Sequence, residues 1–141
     1  MDGSKDIVTR VTTGLDRQPR GVFAYNYETG NELWHFLMGT CPRKLLLADI
    51  DRDNIHEIVA GTFSPDNGSD VNGTNDSTSY AIALDNSGDL AWKNPLGGVY
   101  SAIELIDITD NDCDGVSEIV AKKNSYCADD PEMDRISLLS G

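Results

Sequence analysis

The chain has few basic residues and no long apolar run, and both shortages exclude classes of function. It contains 11 Lys and Arg against 24 Asp and Glu, which gives a formal net charge of −13. Binding to nucleic acid or to anionic lipid needs clustered Lys and Arg, so we expect neither. No segment approaches the roughly 18 apolar residues of a transmembrane helix, so we expect no membrane insertion. The acidity indicates either a soluble surface or cation binding, and the spacing of the carboxylates has to distinguish the two.

Cysteine is also scarce. The three cysteines, Cys41, Cys113 and Cys127, are far apart in the sequence and match neither a disulfide framework nor zinc-ligand spacing. Pairing of Cys113 with Cys127 stays open. Residues 1–5 lack the basic and apolar regions of a signal peptide, so either the protein is cytoplasmic or its natural start lies upstream of Met1.

The chain does contain an internal repeat. Residues 45–60 align without a gap with residues 106–121, at an offset of 61 (118 − 57). Residues 23–34 align in the same way with residues 81–92, at an offset of 58 (92 − 34). The similar offsets indicate one repeating unit of about 60 residues. Both chain ends carry partial copies, which predicts a piece of a longer protein.

One complete unit predicts four strands and no helix. Residues 45–49, 57–62, 80–85 and 90–94 are short apolar or β-branched runs, residues 65–78 are a polar loop, and residues 86–89 are a tight turn. Four-stranded antiparallel sheets at even spacing are typical of a β-propeller. The sequence therefore predicts an all-β fold, a partial β-propeller of about two and a half four-stranded antiparallel blades. We place a truncated first blade at 1–42, a full blade at 43–98 and a truncated last blade at 99–141, with further blades in a longer parent chain.

The repeated acidic loops have the spacing of a calcium site. Ca²⁺ takes about 6–8 oxygen ligands, and acids at alternate positions can turn several carboxylates toward one point. Gly115 permits a sharp turn in the second loop, and Asn54 replaces it in the first loop because Asn tolerates left-handed backbone geometry. No helices flank these loops, which excludes a helical EF-hand sensor. The predicted Ca²⁺ ligands are Asp49, Asp51, Asp53, the Ile55 carbonyl and Glu57 in the first loop, and Asp110, Asp112, Asp114, the Val116 carbonyl and Glu118 in the second.

Residues 49–59 (DIDRDNIHEIV) and 110–120 (DNDCDGVSEIV) resemble the FG-GAP and VCBS repeats of integrin-α-like β-propellers. This resemblance covers most of the chain and implies a loop between two strands of a blade that holds calcium structurally. It also implies a cell-surface or secreted protein engaged in cell adhesion, with a protein or carbohydrate partner. Two departures are Asn54 in place of the loop glycine and a partial N-terminal copy of the loop whose leading acids are cut off at Met1. Asp2 and Asp6 in that partial copy are not expected to hold metal.

We therefore predict a structural or interaction module and not an enzyme. The alternative is a non-catalytic or partial segment of an extracellular polysaccharide lyase or of a quinoprotein-like propeller enzyme. The two histidines, His35 and His56, have no visible triad partners in the sequence. Trp34 and Trp92 follow equivalent glycine turns, and we expect them to pack between blades, with stacking on a sugar as the alternative.

Overall fold

A computed structural model of the chain describes residues 6–126 and 136–140. Within these ranges the protein is all-β and contains no helix, so the all-β part of the predicted fold is confirmed, while the partial β-propeller stays a prediction. It follows that no described segment is a helix long and apolar enough to cross a membrane. The strands are β1 (Asp6–Thr12), β2 (Arg20–Asn26), β3 (Glu32–Leu37), β4 (Cys41–Ala48), β5 (Glu57–Phe63), β6 (Asp70–Val71), β7 (Thr74–Asn75), β8 (Ser79–Leu84), β9 (Leu90–Gly97), β10 (Ser101–Thr109), β11 (Glu118–Ser125) and β12 (Ile136–Ser140).

The described strands form three antiparallel sheets. Strands β1, β2 and β3 make the first, and β6 and β7 make a small hairpin. The second sheet is curled like half a barrel and contains the other seven strands. Within it, β4, β5, β8 and β9 pair in succession, and so do β10, β11 and β12. One residue pair, Ala102 with Phe63, joins these two groups.

Strands β5 and β8 are buried on both faces, which explains why they are continuous apolar runs in the sequence. Because side chains alternate along a strand, one face packs on β2 and β3 and the other packs on β10 and β11. The first cluster contains Val22, Phe36, Met38, Ile58, Ala60, Tyr80, Ile82 and Leu84. The second cluster contains Ile50, Val59, Ala81, Ala83, Ile103, Leu105, Ile119 and Ala121.

A glycine allows a close approach between β5 and β10. A Cβ atom on Gly61 would overlap the carbonyl oxygen of Ile103, so no larger residue fits there without movement of the backbone. The two strand groups therefore stack backbone against backbone at this point, and side chains fill the rest of the interface.

The polar segment 65–78 differs from the predicted loop. It contains the β6–β7 hairpin, and its Asp76 is almost fully buried beside Arg20 of β2. The Asp76 carboxylate accepts hydrogen bonds from the amides of Asn67 and Gly68 at 3.1 Å each. Composition indicated a polar loop without strands, and the contact with Arg20 holds the segment against the first sheet. The four predicted strands of the unit correspond to β4, β5, β8 and β9, although β4 starts earlier, at Cys41.

Candidate metal centre

The two acidic loops occupy equivalent connections in the sheet. The first joins β4 to β5 and the second joins β10 to β11, and Glu57 and Glu118 are the first residues of the following strands. Both loops contain two residues with positive φ at matching positions. These are Arg52 (70°) and Asn54 (66°) in the first loop, and Cys113 (60°) and Gly115 (84°) in the second. The predicted left-handed conformation of Asn54 is thus confirmed.

Four hydrogen bonds from backbone amides to acidic side chains occur in both loops and match one for one. In the first loop the donors and acceptors are Ile50 to Glu57 (2.9 Å), Asp53 to Asp51 (3.2 Å), Asn54 to Asp49 (3.0 Å) and Ile55 to Asp53 (2.7 Å). In the second loop they are Asn111 to Glu118 (2.7 Å), Asp114 to Asp112 (3.1 Å), Gly115 to Asp110 (2.8 Å) and Val116 to Asp114 (2.7 Å). Every pair is related by the same offset of 61 residues (111 − 50). Carboxylates that accept these amides keep further lone pairs, so the bonds shape the loops without exhausting the oxygens.

The carboxylates of the second loop converge on one point. The ligand atoms of Asp110, Asp112, Asp114 and Glu118 all lie within 4.8 Å of one another. Oxygens that share one ion at about 2.3–2.6 Å lie at most about 5 Å apart, so this group is compact enough to hold a metal ion. All four predicted carboxylates of this loop are therefore brought together.

The first loop is similar but less complete. Asp49, Asp51 and Glu57 form a group within the same 4.8 Å, while Asp53 lies outside it. Ligation by Asp53, and by the carbonyls of Ile55 and Val116, stays a prediction.

The two groups differ in their exposure to solvent. Glu57 is only 5% exposed, whereas Asp110, Asp112 and Asp114 are exposed and Glu118 is half-buried. A buried carboxylate is costly unless a cation or several donors compensate it, and close carboxylates repel one another. A bound cation would offset both costs. Because all donors are oxygens, the groups suit a hard cation of the Ca²⁺, Mg²⁺ or Mn²⁺ type and not a soft one.

Sequence reasoning missed one residue of this region, Arg52. Its Nη2 atom donates to the backbone carbonyl oxygen of Asp114 at 3.0 Å and lies 3.6 Å from the Asp114 carboxylate. The first loop therefore contacts the second across 62 residues of sequence. No local pattern could have revealed this contact, because Arg52 occupies one of the intervening positions of its own loop.

The aromatic, histidine and cysteine residues singled out in the sequence belong to neither acidic group. Trp34 and Trp92 pack against the first and second apolar clusters respectively, in agreement with the predicted packing role. His35 stacks on Phe23, with its Nδ1 atom 2.7 Å from Glu32. Cys113 is exposed, and Cys127 lies outside the described residues, so its pairing stays open.

Comparison with models of known protein families, with curated proteins and with solved structures gave no match. The repeated loops and the packing of the sheets are therefore the features that indicate a function.

Proposed function

We propose that the chain is a set of calcium-binding blades of an FG-GAP/VCBS-like β-propeller, whose acidic loops bind Ca²⁺ structurally. The observation that carries the proposal is the repetition of one loop geometry in two equivalent connections, with four matching amide–carboxylate bonds in each. A solvated acidic turn has no physical need for this repetition, whereas a repeated ion site does.

The blade arrangement is supported by the strand order. Strands β4, β5, β8 and β9 pair in succession as one four-stranded antiparallel unit, as a propeller blade does. The groups β1–β3 and β10–β12 supply parts of units that cover its two faces. On this proposal the three groups are one complete blade between two partial ones, and additional blades close the ring.

Calcium is favoured over magnesium by the number of carboxylates. Mg²⁺ keeps several waters and is usually held by one or two carboxylates, whereas Ca²⁺ accepts 6–8 oxygens in flexible geometry. Four converging acids in the second loop, with the Val116 carbonyl and water, would complete such a shell. The role of the ion is to neutralise the acids and hold the two strands of the blade together.

We further propose that the blades present their loops to a protein or carbohydrate partner at the cell surface or outside the cell. Extracellular calcium is millimolar, so even weak sites of this kind would be filled there. The proposal assigns no catalytic step to the chain.

Calcium titration by calorimetry, with thermal denaturation in calcium and in chelator, tests the proposal. We expect two ions per chain and a higher melting temperature in calcium, because each site stabilises the fold by about 2.7 kcal/mol at a concentration 100 times its Kd. Asp112→Ala should lose one ion. Glu28→Gln removes an exposed acid outside both loops and should keep two.

Absence of calcium binding, with the same melting temperature in chelator, would reject the metal sites. Equal affinity for Mg²⁺ at both loops would reject their assignment to calcium.

A further inference from the structure

A cleft lined by basic side chains lies on the other end of β4 from the first acidic loop. It has a volume of about 710 Å³ and lies among β1, β4, β10 and β11. Clefts of about 300–1,000 Å³ are the usual size for small-molecule sites. Its floor is formed by Ala102 and Ile103, which are buried, so the cleft has a packed base.

The charge of the cleft is opposite to that of the protein. Arg10, Arg43 and Lys44 line it, which are three of the 11 basic residues in a chain of net charge −13, and the one acid among the lining residues is Glu104. The lining therefore carries a net charge of +2 (three cations and one anion). Such a local reversal concentrates small anions at the cleft.

A β-bulge in β4 contains two of these cations, Arg43 and Lys44. Between β4 and β5, Pro42 pairs with Thr62 and Leu45 with Ala60, so Arg43 and Lys44 together oppose only Gly61. A bulge leaves an extra residue out of the ladder and redirects the adjacent side chains, and bulges are frequent beside functional sites. Basic residues at positions 43 and 44 are not a requirement of the repeat. The equivalent positions 61 residues later (104 − 43) are Glu104 and Leu105.

The three cations are not neutralised by carboxylates within residues 6–126. Arg10 donates to the Pro42 carbonyl oxygen at 3.2 Å, and the Lys44 Nζ atom donates to the Leu105 carbonyl oxygen at 3.1 Å. Carbonyl oxygens position these groups but leave their charge uncompensated, and the described ion pairs involve none of the three. Glu104 is itself engaged by Asn124, whose Nδ2 atom donates to it at 3.1 Å.

Tyr126 adds an aromatic ring at the rim. Tyr126 is 63% exposed, and its ring packs edge-on against Phe63, with ring centres 5.9 Å apart. The Tyr126 amide donates to the Tyr100 carbonyl oxygen at 2.9 Å. The face of a ring held in this way can pack against a cyclic ligand, and its hydroxyl can form a hydrogen bond with that ligand.

From these observations we infer that the cleft binds a small organic anion, a sugar-sized ligand with a carboxylate or sulfate group, between the cationic side chains and the Tyr126 ring. Guanidinium groups form strong, charge-assisted hydrogen bonds with both oxyanions. A long polyanion is disfavoured because it would extend beyond the cleft, and the net charge of −13 on the whole chain repels it.

Titration of the full chain with three matched sugars tests this inference. The probes are glucose, glucuronate and glucose 6-sulfate. Binding of each sugar is monitored by nuclear magnetic resonance of the backbone amides, first in calcium-free buffer and then with calcium. We expect one or both anionic sugars to shift the amides of residues 43–44, 102–104 and 124–126, and glucose to bind at least about tenfold more weakly. The tighter of the two anions identifies the preferred group.

Two variants locate the site. Arg43→Gln should weaken binding of the anionic sugar about tenfold, because it removes one charge-assisted contact. Arg17→Gln removes an exposed guanidinium outside the cleft and should leave binding unchanged. Equal binding of glucose, absence of binding by both anions, tighter binding of a heparin fragment, or binding that requires calcium would each overturn the inference.

Discussion

Arg52 of the first acidic loop donates a hydrogen bond to the backbone carbonyl oxygen of Asp114 in the second, with a distance of 3.0 Å between Nη2 and the oxygen. The same atom lies 3.6 Å from the Asp114 carboxylate. The proposed ion sites are therefore connected by a cation that is part of neither ligand set. A positive charge beside a carboxylate opposes the binding of a second cation there.

Replacement of Arg52 by Gln should raise the calcium affinity of the second loop. The guanidinium repels a Ca²⁺ ion in the second loop, and water and salt weaken this repulsion. Without the guanidinium we expect the calcium affinity to rise about three- to tenfold at low salt. Calorimetric titration of wild type and Arg52→Gln measures the change. Arg52→Lys keeps the charge and serves as the control; lower affinity in Arg52→Gln than in Arg52→Lys would contradict the electrostatic explanation.

Replacement of Asp76 by Asn should destabilise the fold. Arg20 is 1% exposed and lies 3.5 Å from Asp76, so loss of the carboxylate leaves a buried guanidinium without its counter-charge. The expected loss is about 3 kcal/mol in the free energy of unfolding, measured by urea denaturation. Asp70→Asn, an exposed change in the same segment, should have little effect. Equal losses in the two variants would show that the buried pair is not special.

Replacement of Gly88 by Ala should also destabilise the fold, at a position the sequence already marked as a turn. Gly88 has a φ of 87°, and a Cβ there would overlap the indole ring of Trp34. Backbone strain and displacement of the ring should together cost about 1–3 kcal/mol. Thermal denaturation monitored by tryptophan fluorescence measures this. Gly98→Ala is the control, because a Cβ on Gly98 meets no atom within 4 Å; a similar loss in both would count against the Trp34 contact.

The contribution of Asp85 to stability should depend on pH. Burial raises the pKa of Asp85, but hydrogen bonds from the Asp89 amide and from the Ser87 hydroxyl and amide outweigh it, so the pKa lies below its ordinary value of 3.8. A lowered pKa in the folded state means that the stabilisation is present above the unfolded pKa and is lost as the pH falls through the folded pKa.

Asp85→Asn should therefore destabilise the protein by about 1 kcal/mol at neutral pH, and the difference from wild type should shrink below about pH 4. Urea denaturation across this range measures it. Asp89→Asn, in the same turn, leaves the backbone amide that donates to Asp85 in place and serves as the control. A difference between Asp85→Asn and wild type that persists unchanged in acid would refute the role of the ionised carboxylate.

Two of the cysteines should differ in reactivity. Cys41 is 2% exposed, and desolvation raises the pKa of its thiol, whereas Cys113 is exposed. Because the thiolate is the reactive form, iodoacetamide should modify Cys113 in the native protein and Cys41 only after unfolding. Mass spectrometry of the digested protein distinguishes the sites. Rapid native modification of Cys41 would contradict its position in the sheet.

The sequence alone predicted the features that depend only on residues close together in the chain. Apolar and β-branched runs predicted the strands that became β4, β5, β8 and β9, and the spacing of acids predicted both carboxylate groups except for Asp53. The left-handed geometry of Asn54 was also predictable, since it depends on one residue and its φ angle. These features were predictable because each arises within a short segment, where the hydrophobic pattern and the conformational propensities of the residues determine the local structure.

The contacts between distant segments were decided only by the stacking of the sheets. Arg20 and Asp76 are separated by 56 residues, and Arg52 and Asp114 by 62, so no local pattern pairs them. The polar composition of residues 65–78 predicted only a loop, and burial against the first sheet made Asp76 part of the interior. The basic cleft likewise exists only because a bulge in β4 and the packing of β10 bring Arg43 and Lys44 beside Tyr126. Burial and charge compensation are properties of the packed sheets, and a single sequence does not predict which distant segments will be in contact.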